Sequence, residues 1–230
     1  MLGNLRAIAF DLDNTLWDIE PVLERAEGRL IDWLRENCPR IPERVTPEEM
    51  RAAREQVARD EPERAHDFTY MRTVALARHA RECGYEEEIA AQAFDVFFRA
   101  RNELDLFDDV LPAVERLKSR YALATLSNGN ADLALIGLAE VFLVSLNARQ
   151  IGAAKPDRRC FERLCVALRL EPGAILYVGD DPWLDVEAAR AAGLQTAWMN
   201  RRRREWPTGM ADPDLTVGDC RALADALGCA

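Results

Sequence analysis

The chain has 230 residues, 49% hydrophobic and 30% charged, which is enough apolar material for one well-packed domain or one domain carrying an insertion. Its formal net charge of −10 argues against a general nucleic-acid or anionic-membrane binder, either of which needs a basic face, and no stretch approaches transmembrane length. Six scattered cysteines (Cys38, Cys83, Cys160, Cys165, Cys220, Cys229) without a Cys-x-x-Cys pair, and two histidines, His66 and His79, exclude the usual zinc signatures and point to buried thiols in a cytoplasmic, reducing compartment. The apolar N-terminal run is too short for a signal peptide.

In chain order, the first element is the run Ala7-Ile8-Ala9-Phe10, continued by Leu12 and broken by Asp11 and Asp13. Such continuity suits a central strand of a parallel sheet covered on both faces, and ligands of these sheets bind outside the strands' carboxyl ends. Two carboxylates at one strand end repel unless a cation or a shared proton compensates, and Mg²⁺ is the natural partner. The plain alternative is a helix cap at Asp13 and a turn residue at Asp11. From Trp17 to about Leu106 strand-like runs vanish. Ile19, Val22, Leu23, Ala26, Leu30, Trp33 and Leu34 form a helical stripe ended by Cys38-Pro39. Thr46-Pro47-Glu48-Glu49 has the form of a capping box with proline at the first helical position. Further helices are predicted from Phe68 to Cys83, stopping at Gly84, and from about Glu86 to Asn102, so the segment reads as a four-helix insertion.

The sheet resumes after a helix marked by Val110, Ala113, Val114 and Leu117. A strand over Tyr121–Leu126 ends at Ser127-Asn128-Gly129, where a hydroxyl and backbone N–H groups offer an anion site, or where Ser127 simply caps a helix. A strand is predicted over Val141–Leu146. Lys155-Pro156 is then expected to open a helix with Pro156 at its first position; a lysine there opposes the helix dipole unless it faces an anion. Ala174–Gly179 is another buried strand ending in acid, Asp180 and Asp181, with Asp185 following. Asp181 is either close to a metal-bound water or a helix cap. Outer strands are expected over Gln195–Met199 and Leu215–Val217, with the basic cluster Arg201–Arg204 as a solvated loop.

Asp11-Leu12-Asp13-Asn14-Thr15, Ser127, Lys155 and Gly179-Asp180-x-x-x-x-Asp185 resemble, in order, the four motifs of the haloacid dehalogenase superfamily, mostly phosphatases and phosphotransferases. The resemblance implies an α/β, doubly wound parallel core over residues 1–16 and 107–230, with an all-helical cap of the C1 class over residues 17–106 that excludes water and supplies substrate contacts. It also implies Asp11 as nucleophile, Asp13 as acid and base, and Ser127, Asn128, Gly129 and Lys155 around the phosphate. Mg²⁺ would be held by Asp11, the backbone carbonyl of Asp13 and Asp180, with Asp185 in support. A hydrolytic dehalogenase of the same fold, needing neither Mg²⁺ nor an acid two positions after the nucleophile, and a non-catalytic binding protein are the rivals. Asp13 and Asp180 speak against the first, and the complete set of acids and the lysine against the second.

Phe10 to Asp18, His66-Asp67-x-Thr69-x-x-Arg72, Ser127 to Ala131 and Val178 to Asp181 further resemble bacterial phosphatases acting on flavin mononucleotide and the phosphorylated ribitylaminouracil precursor of riboflavin. That implies a small phosphorylated metabolite as the partner, no nucleic acid or membrane, and a monomer or homodimer. Trp17 and Tyr70 are the candidate aromatic wall, and Asp67 and Arg72 the candidate polar contacts, against the alternative that Trp17 is packing and Asp67 and Arg72 pair locally on a helix.

Overall fold

The computed structural model describes residues 4–229. They fall into two compact units, one made of the N-terminal residues through Asp18, Asp105–Gly129 and Gly137 onward, the other of Ile19–Leu104 and Asn130–Ile136.

In the α/β unit, β1 (Ala7–Phe10) is fully buried, as its unbroken apolar run requires of a strand covered on both sides. The chain next passes through the helical unit, whose α1 (Ile19–Asn37) buries Val22, Ala26, Leu30 and Leu34 along one face. A short α2 (Arg40–Arg44) follows, with no strong sequence signal at five residues. α3 (Pro47–Asp60) has the capping box as read: the Thr46 hydroxyl accepts from the Glu49 backbone N–H, and the Glu49 carboxylate accepts from that of Thr46. α4 (Phe68–Glu82) and α5 (Ile89–Asn102) follow, and Gly84, at φ +73°, takes the left-handed turn that ends α4. Leu30, Leu34, Ile41, Met50, Leu76 and Phe97 meet in one core, each such side chain contributing about 1.5–3 kcal/mol by leaving water.

Back in the α/β unit come α6 (Val110–Lys118) and β2 (Ala122–Ser127). α7 (Leu133–Ile136) belongs to the helical unit, and β3 (Val144–Asn147) returns to the sheet. β3 begins later than Val141 because the Val141 N–H closes a turn onto Leu138 O at 3.1 Å, and pairing with β2 starts at Val144. α8 (Ala148–Ile151), α9 (Arg158–Leu168), β4 (Ile175–Gly179), a π-helical turn over Pro182–Glu187, α10 (Ala188–Ala191), β5 (Gln195–Met199), β6 (Leu215–Val217) and α11 (Cys220–Ala226) follow. α11 is capped by Asp219, which accepts from Ala222 N–H; the sequence reading passed over it because only seven residues separate cap and end.

All six strands are parallel, in the order β3-β2-β1-β4-β5-β6, with helices on both sides of the sheet. The order reverses between β1 and β4, and doubly wound sheets bind ligands at such a switch point. Asp11 follows β1 and Asp180 follows β4, so topology alone brings the two acids together. Among the described residues no helix is long and apolar enough to cross a membrane, and all six cysteines are buried and free of disulfides.

Candidate active site

The turn after β1 carries two acids in different settings. The Asp11 backbone N–H donates to Val178 O at 2.8 Å, which ties the end of β1 to β4. Its side chain is buried. Asp13 lies two residues on, where Asn14 takes a left-handed φ of +62° and the chain doubles back so that Asn14 N–H donates to Trp17 O at 2.7 Å. The Trp17 indole N–H donates to Asp13 Oδ1 at 2.8 Å. Trp17 is 0% exposed, so in this structure it holds Asp13 and offers no wall to a ligand.

Lys155 is the cationic centre. Its Nζ donates to Asp11 Oδ1 and to Asp185 Oδ1, both at 2.6 Å, and to the Tyr177 hydroxyl at 2.9 Å. Burial alone would favour a neutral lysine, but two carboxylates outweigh it and hold Lys155 protonated well above the ordinary range. The expected helix start at Pro156 is corrected: α9 begins at Arg158 behind the cap Asp157, so Lys155 precedes the helix and the dipole argument does not apply. What places Lys155 is Asn128, whose Oδ1 accepts from Lys155 N–H at 2.7 Å and whose Nδ2 donates to Lys155 O at 2.9 Å. The Asn128 side chain is thus committed to the lysine's backbone, not turned to a phosphate. Ser127 is 2% exposed, and its Oγ accepts from Gly129 N–H at 3.0 Å.

Asp185, expected only in support, is 1% exposed and central: besides Lys155 it accepts from Asp181 N–H at 3.0 Å. Gly179 makes that possible, because a Cβ there would sit 2.3 Å from Asp185 Cγ. Asp181 resolves as a cap, accepting from Trp183 and Leu184 N–H at 2.8 Å each. Tyr177, which the sequence reading missed, donates to Leu126 O at 2.8 Å while accepting from Lys155. Its signal was a lone hydroxyl inside a buried strand, which must find partners.

Ligand oxygens of Asp11, Asp180 and Asp185 lie within 4.8 Å of one another. Burial, then the neighbouring Asp185, pushes the Asp180 carboxyl up to about 6. Burial likewise raises Asp11 well above its usual range, with Asp185 and Asp13 adding to it against the pull of Lys155. Lys155 pairs with Asp11 and Asp185 and Arg204 reaches Asp180 at 3.4 Å, so three carboxylates meet two cations, and the donors are all oxygen, which suits a hard divalent cation such as Mg²⁺. The Asp13 side chain lies outside this trio.

In the basic cluster after β5, Arg202, Arg203 and Arg204 are exposed as a solvated loop, but Arg201 departs from that expectation. Arg201 makes a two-point ion pair with Asp109 at 2.9 and 2.8 Å, and Arg204 donates to Asp180 O at 2.6 Å. The short charged run hid this because exposure cannot be read from charge alone.

Within the helical unit, Asp67 caps α4 by accepting from Tyr70 N–H at 3.0 Å, and the Tyr70 hydroxyl donates to Glu61 at 2.6 Å. Arg72 does not pair with Asp67. It forks onto Glu27 of α1 at 3.1 and 2.8 Å, lies 3.5 Å from the Phe97 ring centre, and lines a cavity of about 290 Å³ with Phe68 and Met71.

The haloacid dehalogenase-like hydrolase family matches residues 5–193. The chain is 30% identical over 202 residues to the 5-amino-6-(5-phospho-D-ribitylamino)uracil phosphatase YigB of Escherichia coli, covering 86% of this chain and 84% of that protein. It is 28% identical over 244 residues to the (S)-2-haloacid dehalogenase of a Pseudomonas species, covering 96% and 94%. The crystal structure of a 2-haloacid dehalogenase from Pseudomonas syringae pv. tomato superposes with a TM-score of 0.93 at 30% identity, covering 97% of this chain and 98% of that one. With the acids at the β1–β4 switch point and a match across most of its length, this chain belongs to the haloacid dehalogenase-like hydrolase family.

Proposed function

We propose that the chain is a Mg²⁺-dependent phosphatase that hydrolyses a small phosphorylated metabolite through an aspartyl-phosphate on Asp11. The observation that carries this reading is the cluster of three carboxylates at the sheet's switch point, Asp11, Asp180 and Asp185 within 4.8 Å of one another, where Lys155 pairs with Asp11 and Asp185 and Arg204 reaches Asp180 at 3.4 Å. A bound Mg²⁺ would neutralise charge on the phosphoryl oxygens, held by Asp11, Asp180 and the Asp13 carbonyl with Asp185 behind them. In the reaction, an Asp11 carboxylate oxygen attacks phosphorus and the bond to the leaving oxygen breaks. Asp13, oriented by Trp17, gives its proton to that oxygen and then, as carboxylate, takes one from the water that hydrolyses the intermediate. Ser127 Oγ and Lys155 Nζ bind equatorial oxygens, for which Lys155 is already anchored beside Asp11.

The second reading is halide displacement by Asp11, favoured by the TM-score of 0.93 to the P. syringae dehalogenase. Asp13 and the Asp180 carboxylate have no work in that reaction. Assaying p-nitrophenyl phosphate with Mg²⁺ or EDTA beside chloride release from 2-chloropropionate separates the readings. Phosphate release silenced by EDTA supports the first, and chloride release unaffected by EDTA supports the second.

For the substrate we propose a ribityl phosphate such as flavin mononucleotide, supported by the 30% identity with YigB. Asp67 and Arg72 are the proposed polar contacts of such a substrate. We further propose a cytoplasmic monomer or homodimer acting on a small metabolite, with no nucleic-acid or membrane partner. A kcat/KM for flavin mononucleotide no better than for sugar phosphates or nucleoside monophosphates would end the substrate assignment and leave the phosphatase reading standing.

A further inference from the structure

Arg201 is gripped from three directions. Its Nε donates to Thr15 O at 2.8 Å, its two terminal nitrogens meet both oxygens of Asp109 at 2.9 and 2.8 Å, and its guanidinium lies 4.0 Å from the Phe107 ring centre. Asp109 is fixed in turn, its Oδ2 accepting from Cys220 N–H at 2.7 Å. A half-exposed loop arginine would not be held this way; here both partners have side chains only 13% exposed.

The Thr15 carbonyl belongs to the turn that carries the acids. From within, that turn is closed by Leu16 N–H on Leu12 O at 2.8 Å, by Asn14 on Trp17 O, and by the Trp17 indole on Asp13. Arg201 holds it from outside, two residues beyond Asp13. Asp11 has its own anchors in β4 and Lys155, so it does not need Arg201.

We propose that Arg201 is a positioning residue for Asp13: it acts through the Thr15 carbonyl and sets where the acid's proton is delivered. The inference rests on the phosphatase reading and deepens it. Lysine cannot replace the arginine, because one ammonium does not reach a carbonyl and both oxygens of a carboxylate in a planar fork. Loss of the fork lets the Asp13 carboxylate drift while Asp11 stays in place. Attack on phosphorus then persists; activation of the hydrolytic water, a step common to every ester, suffers, and so does protonation of the leaving oxygen. Esters with a good leaving group hardly need that proton, and alkyl phosphates depend on it.

The test compares Arg201→Lys and Arg201→Met with wild type on p-nitrophenyl phosphate and glycerol 2-phosphate, alongside the Trp17 indole N–H resonance, assigned with Trp17→Phe. The expected result, read as alcohol release in a single turnover with enzyme in excess, is a phosphorylation rate lower by about tenfold or more on the alkyl ester, the scale seen when a supporting hydrogen bond is removed, and a much smaller loss on the nitrophenyl ester, while hydrolysis of the common intermediate slows alike for both. The Trp17 resonance shifts in both variants. Equal losses of single-turnover alcohol release on both esters, or wild-type rates with an unmoved Trp17 signal in Arg201→Lys, would overturn the proposal. Should Arg201→Met fail to fold, Arg201→Lys carries the same comparison. If the wild-type chain cleaves neither ester, the phosphatase reading falls and the indole signal alone decides: unmoved, it overturns the coupling to Asp13; shifted, it upholds it.

Discussion

Lys155 Nζ lies 2.6 Å from Asp11 Oδ1 although 144 positions separate them in the chain, and it reaches Asp185 at the same distance. A buried ammonium between two carboxylates keeps one oxygen of Asp11 engaged and neutralises part of the site's charge. Removing one member of such a buried set leaves the others uncompensated, at a cost of about 3–5 kcal/mol.

Lys155→Met is therefore expected to lower both stability and rate. Urea unfolding should show a loss on that scale, and kcat should fall by about 10²–10³, as when one fixed donor to a transition-state oxyanion is deleted. A variant with wild-type kcat would return Lys155 to a purely structural role.

Gly179→Ala tests the close approach of β4 to Asp185. The added Cβ would fall 2.3 Å from Asp185 Cγ and Oδ2, so the carboxylate must move. Overpacking of this kind costs about 1–3 kcal/mol. Calorimetric titration should show weaker Mg²⁺ binding as well as a lower Tm, and Mg²⁺ affinity equal to wild type would mean that Asp185 does not support the metal site.

Tyr177→Phe removes the hydroxyl that joins Lys155 to the Leu126 carbonyl and leaves that buried oxygen without its donor, worth about 1–3 kcal/mol. The phenol is held neutral, its acidity suppressed by burial, so no charge is lost. Chemical denaturation should report the loss, and an unchanged midpoint would show that water replaces the hydroxyl.

The pH dependence follows from Asp180, raised from an ordinary 3.8 to about 6 by burial and by Asp185. A carboxyl that binds its proton more tightly in the folded state contributes stability fully present below 3.8 and lost as pH rises through about 6. In EDTA, wild-type Tm should decline across that interval more than that of Asp180→Asn. With Mg²⁺ the sign reverses, because the metal competes with the proton and affinity grows above pH 6. Parallel Tm curves for wild type and Asp180→Asn in EDTA would contradict the shift.

How much of this was legible in the sequence depends on how local each cause is. β1 and β4, the Thr46 capping box and the stripe of α1 follow from spacing over a few residues, and they stand where they were read. Asp11, Asp180 and Lys155 were legible because strand ends of a doubly wound sheet converge. Roles set by distant partners were not. Asn128 clasps a backbone 27 positions away, Arg201 reaches Thr15 across 186, and Trp17 faces inward to Asp13, all facts of packing that no run of residues encodes.

The most direct test of the central claim is to look for phosphate on Asp11. Asp13→Asn should still allow attack on p-nitrophenyl phosphate, whose leaving group needs little help, yet should slow hydrolysis of the intermediate for want of a base. Acid-quenching that variant with substrate and Mg²⁺, then analysing its peptides by mass spectrometry, should reveal a phosphorylated peptide with the group on Asp11, absent in Asp11→Asn/Asp13→Asn and in EDTA. No phosphopeptide while p-nitrophenol is still released, or phosphate on another residue, would contradict the account.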